Sequence, residues 1–168
     1  MSNLTVSEVK FFRESRGVVT RGFNIERPKE GELISGDLFV VAGWIVGKAS
    51  PALEVYVVSS EEVLGVALVS ISRPDVEKLH PVEDAKLSGF RVDIPVVSLQ
   101  GASEINLIAK LADGTQVPLA DICFEKQIEN RTEDEEEKEG SKEVDSLSNQ
   151  GGGCYTRFIN RLKAKFSR

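Results

Sequence analysis

The chain has one histidine, one tryptophan, one methionine and two cysteines in 168 residues. Each scarcity removes a class of chemistry. A zinc site needs several His or Cys ligands at suitable spacing, and His80 with the distant Cys123 and Cys154 does not supply them. No G-x-S-x-G elbow offers His80 a nucleophile to activate, so this histidine, between Leu79 and Pro81, is expected to be a partly exposed polar residue. Cys123 falls in a strand-like segment and Cys154 in a glycine-rich one, which indicates no disulfide framework and suits a reducing compartment. No apolar run approaches the roughly 18 residues that a transmembrane helix needs. The opening MSNLTVSEVKFF lacks the basic start and long apolar core of a signal peptide. The expectation is a soluble, cytoplasmic chain.

Phosphate and sugar chemistry leave equally little trace. No P-loop or dinucleotide fingerprint is present, and Gly151-Gly152-Gly153 follows a polar segment, not a strand. A glycosidase needs two carboxylates at a defined separation across a cleft. Asp75, Glu77, Glu83, Asp84 and Asp93 are the kind of carboxylates any solvated face carries. No enzymatic activity, metal or cofactor is expected.

What the sequence does have is strand patterning. Residues 38–47, LFVVAGWIVG, form an almost unbroken apolar run rich in Val, Ile and aromatics, closed by Gly47. Such a run reads as a central β-strand covered on both faces, with Trp44 as a core residue that nucleates a sandwich. An indole exposed for stacking on a sugar ring is the competing reading of Trp44. Phe23 and Ile25 open a strand that Pro28 ends. Leu53, Val55 and Val57 share one face of another, and residues 63–71 form a further strand in which Gly65 marks a bulge or a close backbone approach. In residues 90–96 and 105–111 apolar and polar side chains alternate cleanly, with Phe90, Val92 and Ile94, then Ile105, Leu107, Ala109 and Leu111, directed inward. Asp113-Gly114 is a hairpin signal for a tight two-residue turn. Pro118 places the returning strand at a sheet edge, because proline cannot donate to a ladder.

Two segments interrupt this rhythm. Residues 1–21 carry a capping-box pattern at Thr5 to Glu8 beside a possible first strand, and are expected to lie loosely against the sandwich. Residues 73–81, RPDVEKLHP, suggest a single helical turn crossing the end of the sheet, with Pro74 at its start. Arg73 and Asp75 there have two readings. Either they form the rim of a ligand site beside Trp44 or Phe90, or Arg73 pairs with a carboxylate while Asp75 caps the turn. The total is about seven short strands and no long amphipathic helix between them. That spacing implies an all-β, immunoglobulin-like antiparallel β-sandwich over residues 22–126.

Several phrases together carry a resemblance: GFNIERPKEGELISG, VAGWIVGKASPALEVYV, RPDVEKLHP, SGFRVDI and LADGTQVPLADI. Gly43-Trp44, Arg73-Pro74-Asp75-Val76 and Ser88-Gly89-Phe90 are the most specific elements. Over residues 22–124 the chain resembles the immunoglobulin-like accessory domain found beside bacterial glycosyltransferases and other polysaccharide-biosynthesis enzymes. The resemblance implies a non-catalytic module, with a glycan or a glycosyltransferase as a partner by association.

After Lys126 the composition changes. Residues 129–145 hold nine acids and three bases, with Val144 the only hydrophobic residue. Residues 127–153 therefore read as a disordered acidic and then Gly-rich linker, extended by self-repulsion. Residues 154–168 read as a basic amphipathic helix. Tyr155, Phe158, Ile159, Leu162 and Phe166 line one stripe at 100° per residue, and Arg157, Arg161, Lys165 and Arg168 line the other side. A helix this short is marginal alone in water and needs a surface.

Three surfaces compete for it: an anionic membrane, with Cys154 available for palmitoylation; a groove on a partner protein; or the sandwich itself. The linker-plus-helix arrangement also resembles short peptides that recruit cargo to bacterial assemblies. Nucleic acid is not expected, since five basic residues beside an acidic run make a weak phosphate footprint. The sequence thus points to a binding or recruitment module, tethered by its tail to a partner or to the inner face of a membrane. A structural adaptor or cargo whose tail targets it to a protein assembly is the alternative.

Overall fold

The computed structural model describes residues 3–127. The acidic linker, the C-terminal helix and Cys154 lie outside the described residues. Among the described residues there are nine strands, in two antiparallel sheets, and one α-helix. β1 (Asn3–Phe11), β3 (Leu33–Ile34), β5 (Ala52–Ser59), β6 (Glu62–Leu68), β8 (Glu104–Leu111) and β9 (Gln116–Gln127) form a six-stranded sheet in the order β3-β1-β9-β8-β5-β6. β2 (Thr20–Arg27), β4 (Leu38–Gly47) and β7 (Gly89–Pro95) form a three-stranded sheet with β4 in the middle. The fold is all-β and sandwich-like.

The two sheets share one core. β4 contributes Phe39, Val41 and Ile45, and β7 contributes Phe90, Val92 and Ile94. Facing them, β8 contributes Ile105, Leu107, Ala109 and Leu111, with β5 and β9 adding Val55, Val57, Leu119 and Ile122. The alternation in β7 and β8 is as expected because each has one face in this core and one in water. Phe39 and Phe124 stitch the layers edge to face at 5.5 Å between ring centroids. At the flank, the Arg16 guanidinium lies 4.8 Å from the Phe23 ring and donates to the Phe23 carbonyl at 2.8 Å.

Several expectations are overturned. The first segment is not loosely held: it is β1, an interior strand paired antiparallel with β9 from Asn3 to Phe11. Leu4 and Val6 are buried in the core, and burying each fully is worth ~1.5–3 kcal/mol. A bulge between Val6 and Glu8 breaks its alternation. β9 is also interior, between β1 and β8. Pro118 is tolerated because β1 reaches β9 only as far as Ala120, leaving β8 alone as strand neighbour at Pro118. The Asp113-Gly114 hairpin is not a two-residue turn. The Gly114 N–H donates to the Leu111 carbonyl and the Leu111 N–H to that of Thr115, with Gly114 at φ 86°, the three-residue loop with a G1 bulge. The strand at 63–71 ends earlier, at Leu68. Gly65 serves a close approach, since a Cβ there would stand 2.6 Å from Val92 Cγ1 on the opposite sheet.

Candidate functional site

From β6 the chain crosses to the small sheet through residues 69–88, which carry the helix α1 (Pro74–Leu79) and a 3-10 turn (Glu83–Leu87). Pro74 starts α1 because its missing N–H is no loss at a helix N-terminus. Val76 and Ala85 are fully buried and pack with Val46, Trp44 and Val82 in a second, smaller hydrophobic cluster. This cluster covers the upper outer face of β4. Ser88, also fully buried, ends the crossover by donating its hydroxyl to the Ala85 carbonyl at 2.8 Å.

Trp44 belongs to this second cluster and not to the main core, and it is half-buried. Its expected role as the nucleus of the sandwich core is therefore overturned. The reason is strand parity: Phe39, Val41 and Ile45 take the inner face, so Trp44 takes the outer one. Neither is the indole open for stacking on a sugar. The His80 ring packs on it at 5.7 Å between centroids, tilted by 49°. A Cβ on Gly22 would meet both His80 Nε2 and Trp44 Cη2 at 3.1 Å.

Phe90 does not join the rim. Gly43 pairs with Phe90 and Trp44 with Gly89, so Phe90 points into the main core on the face opposite Trp44, and it is buried there. The core reading of Phe90 from its alternation holds, and its place at a ligand rim is overturned.

Arg73 and Asp75 do come together, with a third group that the sequence gave no means to find. Arg73 donates through Nε and Nη2 to both Asp75 oxygens at 2.9 and 2.6 Å. Through Nη1 and Nη2 it donates to both oxygens of Glu26, on β2, at 2.8 and 2.7 Å. This double fork uses the planar geometry that distinguishes arginine from lysine. Asp75 is not a cap: no side-chain bond closes the N-terminus of α1, and its carboxylate turns back to Arg73. That guanidinium lowers the Asp75 pKa to about 2, and Asp75 followed by Glu26 pushes that of Arg73 up. The Arg73 stem passes over Gly89, where an added Cβ would stand 3.0 Å from Arg73 Cγ. The three charges fasten the crossover to β2.

Beside Glu26 lies a cleft of about 660 Å³ lined by Asn24, Ile25, Glu26, Arg27, Lys29 and Glu32. Burial pushes the Glu32 carboxyl up, but the Lys29 N–H and the Arg27 guanidinium outweigh it and hold the group below its ordinary range. The cleft presents carboxylates, cations and an amide, a lining suited to hydrogen-bonding a polar ligand. Among the described residues no group of three or more His, Cys, Asp or Glu side chains is placed to hold a metal ion. No described helix is long and apolar enough to cross a membrane. Compared with family models, curated proteins and solved structures, the chain matches none.

Proposed function

We propose that this chain is a non-catalytic recruitment module: an immunoglobulin-like sandwich, similar to those beside bacterial glycosyltransferases, joined by an acidic tether to a tail helix that docks on an anionic membrane surface or a partner protein. The observation that carries the reading is the tail pattern. Tyr155, Phe158, Ile159, Leu162 and Phe166 make one apolar stripe opposite Arg157, Arg161 and Lys165, after a linker of opposite charge. The sandwich supports it in one respect: Arg73, Asp75 and Glu26 satisfy one another, which gives them a structural task. The polar cleft at Asn24 to Glu32 is where a glycan would be held, against hydrogen-bonding side chains and not against Trp44.

The test is co-sedimentation of the intact chain, and of a chain ending at Gly153, with anionic and neutral vesicles at low and high salt. Pelleting of the intact chain alone, reversed by salt, assigns the tail to a membrane. If neither chain pellets, the membrane arm fails, and the tail then has to capture a protein for the proposal to stand.

A further inference from the structure

A sheet edge offers a row of backbone donors and acceptors to any passing strand, and proteins usually blunt it with charge, proline or brevity. Among the described residues three of the four edges are blunted in these ways. β3 is two residues long. β2 carries Arg21, Glu26 and Arg27 and runs into Pro28, and β7 carries Arg91 and Asp93 and ends on Pro95. β6 differs: its sequence, EVLGVAL, has no proline and no basic residue, and it is the outermost strand of the large sheet. Val63, Val66 and Leu68 stand along it, 52%, 47% and 66% exposed. Leu53 and Ile71, at its far end, add to the same apolar edge.

We propose that β6 is the surface through which two copies of this chain join, edge to edge and antiparallel, so that their large sheets become continuous. The occupant must be an extended strand, because only a strand can pair the outward backbone groups. It must also be apolar along its length. Charge then selects the second copy and its direction. The only ionised groups at this edge, Glu61 and Glu62, sit at one end of the strand. Antiparallel pairing about the middle of β6 sets the two acidic ends ~20 Å apart, whereas parallel pairing would stack four carboxylates. The same patch meets itself across a two-fold axis, as an isologous interface requires. The inference is independent of what the tail binds, although a dimer would present two tails to one surface.

The test is the mass of the full chain by light scattering over a wide concentration range, with Val66→Lys, Leu68→Lys and, on a different surface, Val97→Lys. The expected result is a dimer for the wild type and for Val97→Lys. Each edge lysine should raise the dimer dissociation constant by about tenfold or more. Because Val66 and Leu68 are both exposed, the variants keep the fold, and far-UV circular dichroism checks this. A wild type that stays monomeric throughout overturns the proposal, and so does a dimer that survives both edge substitutions. A monomer that instead captures an apolar strand peptide overturns it in favour of another partner.

Discussion

Arg73 and Glu26, 47 positions apart in sequence, meet through two N–H···O bonds of 2.8 and 2.7 Å, with Asp75 taking the other side of the same guanidinium. This contact ties the crossover to the edge strand β2. Arg73→Ala is expected to cost ~1–3 kcal/mol, the range for losing hydrogen bonds to charged groups. Arg73→Lys should cost nearly as much, because an ammonium cannot fork to two carboxylates. Urea denaturation of both variants checks this. A lysine variant as stable as wild type would show that charge alone suffices.

The same cluster gives an acid limb to the stability curve. The Asp75 pKa is lowered to about 2 in the fold, against ~3.9 in an unfolded chain. Its contribution is therefore present above pH ~4 and lost as pH falls toward 2. Asp75→Asn should flatten the stability profile between those values and leave the shape above pH 5 unchanged, measured by thermal melts across pH.

Asp121 behaves oppositely. It is half-buried on β9, and burial raises its pKa although Asn106 donates to it at 2.6 Å. A raised carboxyl favours the fold below its unfolded pKa and loses that advantage as pH rises through the folded value. Asp121→Asn is thus expected to raise the melting temperature at pH 7, with the gain shrinking as pH falls below ~4. An equal gain at both pH values would place its origin outside titration.

The β5–β6 turn holds two non-glycine residues in the left-handed region, Ser60 at φ 47° and Glu61 at φ 76°. Both central positions of a type I′ turn need positive φ, for which Asn-Gly is the favoured pair. Left-handed backbone costs ordinary residues ~1–2 kcal/mol each, so Ser60→Asn with Glu61→Gly should stabilise the chain by ~1 kcal/mol. Gly43→Ala should do the reverse and on a larger scale, because its Cβ would fall on the Asn24 carbonyl oxygen of the neighbouring strand.

Much of the architecture was written in alternation. β7 and β8 are readable because Arg91, Asp93, Asn106 and Lys110 mark the solvent face between buried neighbours. α1 is readable from Pro74. β1 was hidden because its bulge breaks the alternation between Val6 and Val9, and Thr5 to Glu8 imitates a helix cap. The site was less legible than the fold. Arg73 and Asp75 are close in sequence and were found together, but their shared partner Glu26 comes from a strand that only tertiary folding brings near. Phe90 and Trp44 could be separated only by register, since β4 and β7 place Gly43 opposite Phe90 and Gly89 opposite Trp44. His80 packing on Trp44 had no local signal either.

The claim at the centre of this account is that the tail recruits the sandwich. Its most direct measurement is the distribution of a fluorescent fusion of the full chain in bacterial cells, beside one ending at Gly153 and one in which Phe158 and Leu162 are changed to Glu. The account predicts that the full chain gathers at the membrane or in discrete bodies, while both altered chains spread evenly. An identical distribution of all three would contradict it.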